Sequence, residues 1–169
     1  VTPAALLRLI ALALAGLFFA VPARASTTAD ALDLLCGPGH RDLAPHVDAS
    51  ARRHLLHPVV LVSVIAAEST CQADAVNART GAIGLGQIMP GRSADRPGSN
   101  LRDPATNLNL TARHLAGLMV LCGSLGGAVH VYHGHKRCRG WERDRHAVKV
   151  VAWVDRFWTE MRRRKEPRT

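Results

Sequence analysis

Glu68 closes an almost wholly apolar run, Pro58-Val-Val-Leu-Val-Ser-Val-Ile-Ala-Ala-Glu68-Ser69, and a glycine-rich segment, Gly81-Ala-Ile-Gly-Leu-Gly-Gln-Ile-Met-Pro90, follows it. A helix that is apolar on every side is a buried one, and a carboxyl on it is taken out of water. Burial disfavours the charged form of a carboxyl, so such a group can keep a proton near neutral pH. Delivering that proton to a leaving oxygen is the task of the general acid in glycosidic bond cleavage. The competing reading is a carboxylate at a helix end that simply turns out to solvent.

The glycine-rich segment admits more than one reading. No Lys-Ser/Thr pair follows its glycines, and no strand pattern precedes them, so it is not a phosphate-binding loop. Gly84-Leu-Gly86 lacks the third glycine of a dinucleotide fingerprint. A tight turn remains, in which glycine permits conformations closed to other residues, lets backbone approach a ligand and aims Gln87 into a cleft. Ile83, Leu85, Ile88 and Met89 in it call for burial, against the alternative of an ordinary surface loop. A two-carboxylate glycosidase needs a second acid at a set distance. Asp74 and Asp95 are the candidates, and both read as exposed loop residues among turn-like neighbours.

The elements that must hold these groups are helical, with little strand signal. A short helix spans about Thr28–Leu35 and stops at Gly37-Pro38-Gly39. A second follows Asp42 as N-cap and runs to about Leu55, and Pro58 opens the third. Asp103-Pro104 starts another, with Leu108, Ala112, Leu115 and Met119 on one face. The last, from about Asp144 to Met161, puts Ala147, Val150, Val151, Val154, Trp158 and Met161 on a stripe opposite Lys149, Arg156 and Glu160. Trp153 and Trp158 read as core anchors rather than sugar platforms.

The amino-terminal residues read as an export signal: Arg8, the apolar stretch Leu9–Ala20, and Ala23-Arg24-Ala25 as a small-x-small cleavage site. That stretch falls short of the roughly 20 apolar residues that span a bilayer, and a chain not embedded in a membrane is expected. Cleavage near Ala25 leaves one domain over 26–161, a basic tail over 162–169, and a formal net charge lowered from +9 to +7 by the loss of Arg8 and Arg24. Such a charge suits an anionic cell wall or outer-membrane surface. Nucleic acid is excluded as partner by export and by the absence of aromatics interleaved with the basic residues.

Cys36, Cys71, Cys122 and Cys138 fit two disulfides in an oxidising compartment. Three pairings are possible. Chain proximity favours Cys122 with Cys138, clamping the loops around Tyr132, and leaves Cys36 with Cys71. The rival is a zinc site at His133, His135 and Cys138, but the His135-Lys-Arg-Cys138 spacer is too short for a finger and no Cys-x-x-Cys accompanies it. No metal and no cofactor is expected.

Glu68-Ser69 and the Gly81–Pro90 stretch, followed by Asp103-Pro104-Ala-Thr-Asn107-Leu108 and Val131-Tyr132-His133-Gly134, together resemble the signature of the lytic transglycosylases. These are lysozyme-like enzymes that cut bacterial peptidoglycan. The resemblance covers roughly Leu43 to Gly134 and implies an all-α, lysozyme-like single domain with a short glycine-rich loop region. It implies that Glu68 alone serves as acid and then base, cleaving the MurNAc–GlcNAc β-1,4 bond with formation of 1,6-anhydro-MurNAc. Ser69, Gln87, Met89 and Tyr132 are implied at the substrate, with peptidoglycan glycan strands as partner and the periplasm or the exterior as location. By analogy, small exported transglycosylases serve secretion, conjugation or pilus systems that span the envelope. A hydrolytic muramidase on the same scaffold and a non-catalytic wall-binding assembly factor are the alternatives. The chain departs from the family pattern at Gly86 (usually Met), Thr111 (often Gly), His114 (often Tyr) and His133 (Asn), changes that bear on the shape of the saccharide cleft.

Overall fold

Pro58 and the left-handed turn at Thr70 delimit the helix around which the others are arranged. A computed structural model describes residues 27–91 and 98–165, the side chain of residue 165 excepted. The expected export signal, Asp95 and the end of the basic tail lie outside the described residues. Six α-helices occur among those described: α1 (Thr27–Leu35), α2 (Ala44–Arg53), α3 (Pro58–Ser69), α4 (Pro104–Cys122), α5 (Leu125–Tyr132) and α6 (Arg145–Lys165). Short 3-10 turns at Arg41–Leu43 and Trp141–Arg143 precede α2 and α6. Among the described residues isolated bridges take the place of strands, Val76 with Ile83 and Ile83 with Ile88.

Helix α3 is apolar all round because it is packed on more than one side. Leu61, Val62 and Ile65 join Leu32 of α1, Val47 of α2, Leu108 of α4 and Phe157 of α6 in one core cluster. Val64 joins Leu115, Val129 and Val150 in a second. Each such fully buried side chain contributes about 1.5–3 kcal/mol, so α3 anchors the fold. His57 Nδ1 accepts the Val59 N–H at 3.2 Å to cap its start, beside Pro58. At its end Thr70 takes φ 54° and returns its N–H to the Ile65 carbonyl. The Cys36–Cys71 disulfide then ties this end to the residue after α1. Cys122–Cys138 joins the end of α4 to the loop after α5. Both bridges follow the pairing that chain proximity favoured.

Several boundaries differ from the sequence reading. Asp42 lies inside the 3-10 turn and does not cap α2, whose N-cap is Leu43 with no side-chain hydrogen bond. Helix α2 stops at Arg53, and Leu55 has φ 56°. Tyr132 ends a helix rather than lying in a loop: Ser124 caps α5, accepting the Gly127 N–H at 3.2 Å. Helix α6 continues to Lys165, so Arg162, Arg163 and Arg164 are exposed helical residues, with Arg164 donating to Glu160 at 3.4 Å. The anchor of α6 is the buried Phe157; Trp158 stays 38% exposed and Trp153 packs only at the edge of the core.

Candidate active site

Position 68 falls in the last turn of α3, where the helix has nearly left the core. Its carboxyl is 11% exposed, and its Oε1 lies 3.0 Å from Nε2 of His146, itself 13% exposed. Both atoms are buried without a hydrogen bond among the described residues, so this close approach is off the line that a hydrogen bond requires. The carboxyl at the end of the apolar helix is thus nearly buried rather than turned out to solvent. Next to it, the Ser69 hydroxyl donates to the Ile65 carbonyl at 3.1 Å and tightens the same turn. Asp74, the other described candidate acid, is exposed.

The glycine-rich segment is a folded loop held from beneath by Asn107 of α4. The buried Asn107 amide donates to the Ile83 and Leu101 carbonyls at 2.9 and 2.8 Å, and its Oδ1 accepts the Gly86 N–H at 2.8 Å. This approach explains two of the glycines. Gly84 has φ +78°, and a Cβ there would fall 2.3 Å from Asn107 Nδ2. At Gly86 a Cβ would fall 1.8 Å from Thr111 Oγ1. The two departures at Gly86 and Thr111 are thus one feature: the bulk absent from the loop is supplied by the helix below it. Leu85 and Ile88 are buried, as their apolar character required.

Gln87 has φ 51° and is half-buried, and its amide donates to the Gly84 carbonyl at 3.1 Å. Met89 beside it is half-buried. Tyr132 reaches across from α5, and its hydroxyl donates to the Gly86 carbonyl at 2.6 Å, fastening the loop to the far wall. Burial, opposed by a hydrogen bond with Thr111 and reinforced by the Glu68 charge, pushes the Tyr132 phenol well above its ordinary range, so it remains a neutral donor. The His114 ring lies 5.0 Å from Tyr132, tilted 37°. Of two clefts of about 520 and 510 Å³, one lies between α2 and α4, lined by His46, Arg53 and Asn109, and the other beside the loop, lined by Ile83, Pro90 and Leu101. Glu68 lines neither.

The opposite wall consists of imidazoles. His133 stacks on His146 with centroids 4.1 Å apart, and His135 stacks on His130 at 3.8 Å. Burial and the neighbouring His146 lower the His133 pKa, against the pull of the Glu68 and Asp144 carboxylates. Asp144 accepts from His130 Nδ1 at 2.8 Å and from the His146 N–H at 2.9 Å. Burial opposes its ionisation, but those hydrogen bonds hold its carboxyl below the ordinary range. Cys138 is bonded to Cys122, which removes the zinc set of His133, His135 and Cys138.

Glu68 and Tyr132 are thus brought to one place, with Ser69 adjoining Glu68 and the Gln87–Met89 loop fastened through Gly86. His146, His130 and Asp144 were not singled out from the sequence. The available signal was slight: His146 borders the apolar stripe of α6, next to Ala147 and one turn before Val150. Among the described residues no helix is long and apolar enough to cross a membrane. No curated protein and no solved structure matches the chain. Residues 46–153 match the Transglycosylase SLT domain family. That match extends from α2 into α6, takes in Glu68, the glycine-rich loop and the Tyr132 wall, and agrees with two disulfides in an extracytoplasmic protein. The chain is a mainly α member of the Transglycosylase SLT domain family, within the lysozyme-like superfamily, with lytic transglycosylase-type activity directed at peptidoglycan.

Proposed function

We propose that the protein cleaves the β-1,4 bond between N-acetylmuramic acid and N-acetylglucosamine in exported form, with Glu68 as its single acid and base. The observation that carries this reading is the Glu68 carboxyl, nearly buried at the end of the central helix with no hydrogen bond to its Oε1. A buried carboxyl oxygen that makes no hydrogen bond among the described residues is available to a substrate oxygen. Protonated Glu68 gives its proton to the glycosidic oxygen as the C1–O bond breaks. The carboxylate so formed takes the proton of the muramoyl C6 hydroxyl as O6 bonds to C1, closing the 1,6-anhydro ring and restoring the acid. Because the nucleophile belongs to the substrate, proximity replaces an activated water, and no second carboxylate is required.

In this reading Ser69 fixes the turn that carries the acid. Gln87 and Met89 border the sugar subsites on a loop whose backbone is held by Asn107 and Tyr132. Digestion of purified peptidoglycan followed by mass spectrometry tests the reaction. The expected products are anhydro-muropeptides, lighter by one water than the reducing sugars that a hydrolytic muramidase releases. Reducing ends alone would assign the same site to hydrolysis.

A further inference from the structure

Within the imidazole wall, His130 of α5, His135 of the following loop and Asp144 at the start of α6 converge on one point. One ligand atom from each lies within 4.8 Å of the other two. We propose that these three residues form a site for one transition-metal dication of the zinc class. Bonds of about 2.0–2.1 Å in tetrahedral array set neighbouring ligand atoms about 3.3 Å apart. His130 Nδ1 and His135 Nε2 lie 2.8 and 3.7 Å from the same oxygen, Asp144 Oδ2. These distances bracket the required one.

The supports of the three ligands are unequal in a useful way. His130 and Asp144 are 10% and 8% exposed, on two helical elements packed together, whereas His135 is 52% exposed. Two donors are therefore fixed, and the third is open to solvent, where an ion arrives. Asp144 Oδ1 is occupied by the His146 N–H, which orients Oδ2 toward the imidazoles, the kind of supporting bond that holds ligating carboxylates in place. The loop carrying His135 is closed by the Cys122–Cys138 bridge and turns at Gly134, with φ +104°. Two imidazoles and one carboxylate favour zinc, nickel or copper over magnesium and calcium, which take oxygen ligands. On binding, His130 gives up its Nδ1 proton and carries its remaining proton on Nε2, so that the neutral imidazole ligates through Nδ1, and the His135 ring turns out of its stack. A water completes the coordination. The site stands whether or not Glu68 cleaves glycan.

The test uses tag-free, disulfide-intact protein titrated with Co²⁺ and then Zn²⁺. One equivalent of Co²⁺ is expected to bind at micromolar concentration with a visible ligand-field band, which Zn²⁺ abolishes while raising Tm. His135→Ala removes only the exposed ligand. It should weaken binding by more than about 100-fold, beyond the range for losing a supporting residue, with the metal-free Tm unchanged. Asp144→Asn keeps the helix cap and should also weaken binding. Absence of a visible band in the wild type, or equal affinity in His135→Ala, overturns the proposal.

Discussion

The glycine-loop wall and the imidazole wall are built on opposite principles. On the glycine-loop side, backbone groups face a single buried amide: Asn107 satisfies Ile83, Leu101 and Gly86, and Tyr132 takes the Gly86 carbonyl. On the α6 side, the Glu68 and His146 atoms that face each other have no hydrogen bond. A completed network rigidifies, and a buried polar atom left without a partner is costly. The difference separates positioning from chemistry. One wall is spent on holding a shape, and the other keeps a carboxyl available for the substrate. Substitutions on the first wall should cost stability, and those on the second should cost rate.

The largest stability effect is expected at Asn107. Asn107→Leu keeps bulk but strips partners from three backbone groups, a loss of about 3 kcal/mol or more at about 1–3 kcal/mol for each group left unsatisfied. Urea unfolding measures it, and a loss below about 1 kcal/mol would show the loop to be held by something else. Gly86→Ala comes next. Its new methyl meets Thr111 Oγ1 at 1.8 Å, an overpacking that costs about 1–3 kcal/mol. Adding Thr111→Gly should recover part of that loss, giving a coupling of at least about 0.5 kcal/mol in a double-mutant cycle. Strict additivity would mean that the two positions do not share one space.

On the other wall, His146→Phe keeps a ring against His133 but removes the nitrogen beside Glu68. We expect kcat to fall roughly tenfold, through misplacement of the carboxyl, with KM and Tm little changed. A variant with unaltered kcat would make His146 a packing residue only.

What was legible in the sequence was what local pattern dictates. The apolar run of α3, its proline start and the Asp103-Pro104 cap each carry their structural reason within a few residues, and Asp103 Oδ2 indeed accepts the Thr106 N–H at 2.8 Å. Helix α5 was not legible, because Gly126 and Gly127 are poor helix formers. Their glycines answer to packing: a Cβ on Gly126 would fall 2.2 Å from the Trp141 ring, on an element remote in sequence. Phe157 displaced Trp158 from the core because the buried face of α6 is set by α1 and α3. Within the candidate site, Glu68 announced itself by breaking an apolar pattern. His146 could not, since a histidine bordering a stripe acquires meaning only when the fold brings α3 beside it. The exchange of bulk between Gly86 and Thr111 was visible as two unrelated departures until the helix was placed under the loop.

The central claim is that one nearly buried carboxyl performs the cleavage, and Glu68→Gln tests it most directly. The amide keeps size and position but cannot give and then recover a proton. Purified peptidoglycan digested with equal amounts of wild type and variant should yield at least about 100-fold less anhydro product from the variant, the usual scale of an acid–base group. Its folding and wall binding should be retained. A variant that keeps more than about a tenth of the rate would contradict the account, because another group would then be supplying the proton.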